Sequence, residues 1–196
     1  MATQQNRAAH NNSNRTTIMR NLLFIFCLSF FACKSQQIIP LETKGFPIEN
    51  TYYKDLNNEL DPYIGTWKGI FNDKTFIITF SKYKNYNSTG NYYKDRLAGK
   101  YRMLDASGNQ LYSTYNLSDE KAKVMSLGFV EGANKSKLRF IFSDLCIGGQ
   151  IVLNFDNTQK TQMHWTYYTE QTLITDDTGC APYNEMPRGE FTLTKQ

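Results

Sequence analysis

The chain has 196 residues, 40% hydrophobic and 14% aromatic, which is enough apolar material for one folded domain and too much for a disordered chain. Its formal charge of +4 includes Arg7, Arg15 and Arg20, all upstream of Cys33; the remainder holds 19 basic and 18 acidic residues and lacks the dense basic stripe that nucleic-acid binding requires. The four cysteines show neither Cys-x-x-Cys spacing nor a Cys/His cluster, which argues against a structural zinc site, and no cofactor or metal is expected.

Residues 1–18 are polar and aperiodic. Leu22 to Ala32 form an eleven-residue apolar run behind Arg20. A membrane-spanning helix needs about 20 apolar residues, so a basic flank, a short apolar run and the small residue Ala32 predict a secretory signal over residues 1–32. Met19-Arg20-Asn21 and the run make a complete signal alone, which allows translation to begin at Met19 and leaves residues 1–18 as an upstream extension. Phe30-Phe31-Ala32-Cys33 resembles the lipobox of bacterial lipoproteins, with Phe30 in place of the commoner leucine and Phe31 where a small residue is usual. The resemblance implies that Cys33 is lipidated and becomes the new N-terminus. The following Lys34-Ser35-Gln36-Gln37 lacks both aspartate and an acidic cluster. By resemblance to lipoprotein sorting signals, that implies an outer-membrane lipoprotein of the cell envelope facing the periplasm. Residues 33–60, mixed in polarity and broken by Pro40 and Pro47, are predicted as a lipid-anchored spacer, with about two helical turns over Lys54–Leu60.

From Tyr63 onward the apolar period is two, so residues 61–196 are predicted as a β domain. Tyr63, Trp67 and Phe71 share one face of the first strand, and Asn72-Asp73 turns into a second strand faced by Phe76, Ile78 and Phe80. Further strands are predicted over residues 91–104, 110–117, 122–130, 137–143, 149–156, 161–169 and 189–195, joined by segments such as Ser107-Gly108-Asn109 and Asp156-Asn157. Leu138, Phe140 and Phe142 alternate with Arg139; Ile151, Leu153 and Phe155 with Asn154; Met163, Trp165 and Tyr167 with His164. One apolar face per strand and no long helix predict an all-β antiparallel meander closing into a barrel, with a β-sandwich as the alternative.

Gly65-Thr66-Trp67, at the opening of the first strand, resembles the Gly-x-Trp motif of lipocalins and related calycins. The resemblance implies an eight-stranded barrel with Trp67 plugging the closed end and an arginine near the last strand covering it, for which Arg188 is the counterpart. The other lipocalin motifs are absent, and no helix-forming stretch follows the last strand. The chain as a whole also resembles small lipoproteins of unknown function from Gram-negative bacteria.

Catalytic chemistry finds little footing. His164 is the sole histidine after Cys33, it falls on the polar face of its strand, and no Gly-x-Ser-x-Gly elbow accompanies it. Asp176-Asp177-Thr178-Gly179 lacks the alternating acidic spacing of a calcium loop and reads as a turn. Cys146 and Cys180 are expected to pair as a disulfide, since an exported chain can hold one and no basic cluster lies near either thiol. The expected protein is therefore not an enzyme. It is lipid-anchored, and its lipocalin-like barrel holds a small apolar ligand lined by Trp67, Phe71, Phe140, Leu153 and Trp165. The alternative is a structural or protein-interaction module with a filled barrel; an envelope hydrolase is third. The membrane and a small apolar ligand are the expected partners, and nucleic acid is not.

Overall fold

The structure, a computed structural model, describes residues 36–144, 148–169 and 186–196. It contains β1 (Gln37–Pro40), β2 (Thr51–Lys54), β3 (Gly65–Phe71), β4 (Lys74–Asn87), β5 (Tyr92–Leu104), β6 (Gln110–Ser113), β7 (Val124–Phe129), β8 (Lys137–Ser143), β9 (Gly148–Phe155), β10 (Gln162–Thr169) and β11 (Glu190–Lys195). Single-turn 3-10 helices stand at Asp61–Tyr63 and Asp119–Lys121. Eight strands close into an antiparallel barrel in the order β3-β4-β5-β7-β8-β9-β10-β11, with β11 pairing back onto β3 and β7 onto β5. The period-two alternation gives each strand one buried face, and closure gives all those faces a common interior. The sandwich alternative falls, because pairing runs all the way round.

Turn chemistry fixes the register. Phe71 pairs with Lys74 across a two-residue turn in which Asn72 and Asp73 have φ of 49° and 61°. Those signs are what a type I′ hairpin needs, and Asn and Asp tolerate them best after glycine. With the turn set, Trp67, Gly69, Phe76, Ile78 and Phe80 all face inward and are buried.

Residues 37–60, expected as a spacer, are folded onto the domain. β1 runs parallel to β2, and β2 parallel to β5 through Tyr52–Tyr93 and Tyr53–Lys94. The two helical turns expected over Lys54–Leu60 are absent, because Asp55 organises that stretch differently. Its buried carboxylate accepts the Glu59 and Leu60 amides at 2.8 and 3.1 Å, and its own amide donates to the buried Asp95 Oδ2 at 2.8 Å. Lys82 Nζ then reaches Asp55 at 3.1 Å and Asp61 at 2.5 Å. Desolvation works against the charge on Lys82, but hydrogen bonds to Asp61 and Asp55 outweigh it and hold the pKa above the ordinary lysine value.

β5 is the organising strand. One edge pairs with β4 along its length, and the other is shared by β2 at Tyr93–Lys94, β7 at Ala98–Gly99 and β6 at Arg102–Leu104. Between these partners side chains stand in for a ladder: the Leu97 amide donates to Ser126 Oγ and the Tyr101 amide to Thr114 Oγ1, each at 2.8 Å. A bulge at Leu127 shifts the β7–β8 register.

Candidate functional site

Inside the barrel four of the five expected ligand-lining residues are buried in the core, and Phe71 is half-buried at one barrel end. Trp67, Phe140, Leu153 and Trp165 are each 0% exposed. Ring centroids lie 5.2 Å apart for Phe76 and Trp165, 5.7 Å for Trp165 and Phe191, and 5.0 Å for Phe80 and Phe140, the spacing of directly packed aromatics. Inward-facing glycines make room for the rings. A Cβ on Gly69 would meet Thr192 O at 2.7 Å and the Phe191 ring at 2.8 Å, and one on Gly99 would meet the Phe80 ring at 2.8 Å. A Cβ on Gly149 would meet the Tyr167 hydroxyl oxygen at 2.5 Å. Among the described residues, Trp165 Nε1 is buried without a hydrogen-bond partner. Four cavities bounded by described residues lie at the barrel ends and on the flank, and Trp67, Phe140, Leu153 and Trp165 line none of these four.

At one end Trp67 donates from Nε1 to the Tyr63 carbonyl at 2.8 Å, and the Tyr63 ring lies 4.5 Å from that of Phe155. The cation over Trp67 is Lys195, 5.3 Å from the ring centroid, rather than Arg188. The reason is register: β11 runs antiparallel to β3 and sets Lys195 directly beside Trp67, while Arg188 precedes β11 and lies at the other end. Arg188 instead rims a cavity of about 250 Å³ with Phe71, Lys74, Met103 and Met186.

On the outside, a cleft of about 630 Å³ opens between the chain following β1 and the bulged β7. Leu41, Leu127 and Phe129 give it apolar walls, and Glu42, Lys94 and Arg139 give it charge. Two further cations are already engaged, Lys44 with Glu131 at 2.5 Å and Lys135 with Glu59. Lys94 is half-buried, and among the described residues neither its amine nor the Arg139 guanidinium has a hydrogen-bond or ion-pair partner. Burial lowers the Lys94 pKa, nearby Arg96 lowers it further, and Glu42 opposes both from beyond ion-pair range. Sequence reading missed this cleft because residues 41–45 lie in the segment expected as a spacer.

His164 lies on the outer face with Nε2 3.5 Å from Glu190 Oε2. Asp144 is ion-paired with Lys123. Cys33, Cys146, Cys180 and Asp176-Asp177 fall outside the described residues. Among those described, no three His, Cys, Asp or Glu side chains are grouped to hold a metal ion.

No curated protein and no solved structure matches the chain. One family model does, over residues 19–196. By that match the chain belongs to DUF6705, a family of unknown function.

Proposed function

We propose that this protein is a lipid-anchored component of the bacterial envelope, carried on Cys33, and that its barrel is a self-filled scaffold whose binding surfaces lie outside. The observation that carries the reading is the packed interior, where rings and glycine seats occupy the space a container would leave open. Pockets that enclose a drug-sized ligand measure about 300–1,000 Å³. The reading is non-enzymatic, and the outward position of His164 supports it. The apolar run ending at Ala32-Cys33 supports export, and Lys34-Ser35-Gln36-Gln37 supports an outer-membrane anchor facing the periplasm. In that oxidising compartment Cys146 and Cys180 pair as a disulfide.

Cys33→Ser tests the anchor. Intact mass should lose the acyl increment and the protein should leave the membrane fraction; unchanged membrane association would overturn the anchoring. Native mass spectrometry tests the scaffold. The full chain should carry no lipid inside the barrel, and a bound lipid released only on unfolding would reverse the reading.

A second reading, an apolar ligand at the barrel end, is favoured by the cavity of about 250 Å³ walled by Phe71, Met103 and Met186 under the cations Lys74 and Arg188. Phe71→Glu would place a carboxylate there and should eject such a ligand, while leaving one bound elsewhere untouched.

A further inference from the structure

Where β2 and β7 leave the same edge of β5 in different directions, the sheet forks, and the fork is floored by outward-facing side chains of β5. Lys94 stands at that floor. Its backbone is fixed by the β2 ladder through Tyr53 and by the β4 ladder through Asn85, and its half-buried side chain lines the cleft. Half-burying an ammonium costs solvation, and a fold ordinarily recovers that cost with a carboxylate or several acceptors. Here the nearby carboxylates are otherwise placed. Glu131 serves Lys44, Glu59 serves Lys135, and Asp95 accepts from Tyr52 Oη at 2.5 Å and from the Asp55 amide. Glu42 lines the cleft but makes no hydrogen bond or ion pair among the described residues. Across the cleft Arg139 pairs in the β8 ladder with Gly128, which has no side chain to cover the guanidinium and open space where a Cβ would stand.

We propose that this cleft binds a small amphiphilic anion, its carboxylate or phosphate on Lys94 and Arg139 and its apolar part against Leu41, Leu127 and Phe129. This deepens the reading that recognition takes place outside the barrel and names the ligand class. The anion supplies the counter-charge that the fold withholds from Lys94, and the planar fork of Arg139 suits a carboxylate or phosphate held by two oxygens. The apolar walls, with Leu41 and Phe129 themselves buried, select against a bare inorganic ion. Head group and apolar part together separate this cleft from the neutral interior, where no such charge is found among the described inward-facing residues of β8, β9 and β10.

The test uses the full chain with octanoate, octyl phosphate, inorganic phosphate and neutral octanol as probes, followed by calorimetry and by NMR of the lysine ε-carbons. Octanoate or octyl phosphate should bind at least tenfold more tightly than octanol and than inorganic phosphate, and whichever is tighter identifies the head group. Lys94→Met and Arg139→Met should each weaken that binding at least tenfold. Lys94→Met should melt no lower than wild type, since it removes an uncompensated cation, so lost binding cannot be blamed on lost fold. Glu42 and Arg96 are the charges that act on Lys94, and Lys44, Glu131, Lys135 and Arg139 line the same cleft. The Lys94 titration should shift upward on binding in wild type and in Glu42→Gln alike, which assigns the shift to the added anion rather than to Glu42. Binding of octanol as tight as octanoate, binding unaffected by Lys94→Met, or no anion binding at all would overturn the proposal. A lipid retained inside the barrel by native mass spectrometry would instead overturn the scaffold reading, whatever the cleft does.

Discussion

Gly69 faces the barrel interior opposite the Phe191 ring, and its missing side chain is as much a part of the core as the ring itself. A methyl group there would stand 2.7 Å from the Thr192 carbonyl, which is backbone and cannot swing aside. Gly69→Ala should therefore destabilise the domain by about 1–3 kcal/mol, the usual range for overpacking, read as a lower urea midpoint. Trp67 shows the opposite failure. Trp67→Ala should remove about 3–5 kcal/mol through the cavity left behind and the stranded Tyr63 carbonyl. Lys195→Met should change stability by less than about 1 kcal/mol, because an exposed cation over a ring contributes little. A large loss from Lys195→Met with a small one from Trp67→Ala would mean that the closed end is held from outside. At this scale the sequence announced Trp67 plainly, since Gly-x-Trp opens an alternating strand. It did not announce which cation covers the ring, because that depends on the register between β3 and β11, two strands from opposite ends of the domain.

Among the elements, β8 matches its expected range of residues 137–143, and β9, β10 and β11 lie within a residue or so of theirs. All carry long alternations that admit no helical period. β1 and β2 were illegible for the same physical reason in reverse: four residues each is too short for a period, β2 takes its place from β5, at Tyr93–Lys94, and β1 takes its place from β2. What secures them is the latch from Lys82 to Asp55 and Asp61. Removing the cation leaves the buried Asp55 with amide donors only, so Lys82→Met should cost about 1–3 kcal/mol and loosen residues 51–63 first, as measured by limited proteolysis. The pH dependence has a definite sign. A lysine whose folded pKa is raised contributes stability that is complete below its unfolded pKa of about 10.4 and is lost as pH rises through the higher folded value. Wild type and Lys82→Met should therefore differ by a constant amount at neutral pH and converge in the alkaline range above about pH 10.4. Convergence on acidification alone would point to a different origin for the latch.

The barrel as a whole is stitched unevenly. Ladders inside β3-β4-β5 and inside β7-β8-β9-β10-β11 hold from five pairs, as between β10 and β11, to thirteen between β4 and β5. The two joins that close the circle hold two pairs each, Thr194–Lys68 with Lys195–Trp67, and Ala98–Met125 with Gly99–Val124. The second join leans on one hydroxyl, since the Leu97 amide donates to Ser126 Oγ. Ser126→Ala should leave that buried amide unpaired at a cost of about 1–3 kcal/mol. Amide hydrogen exchange should then show Leu97 and Gly99 released well before the centre of β4; uniform exchange around the ring would mean that the joins are no weaker than the rest. With three strands on one side of the joins and five on the other, the barrel resembles two curved shells fastened by a pair of narrow zips. Each shell keeps its own hydrogen bonds when a zip parts, so opening can proceed without unfolding. The first surface bared at the β5–β7 join is a strand edge ready to pair, which makes that join the place where crowding should recruit a second chain before the core is lost.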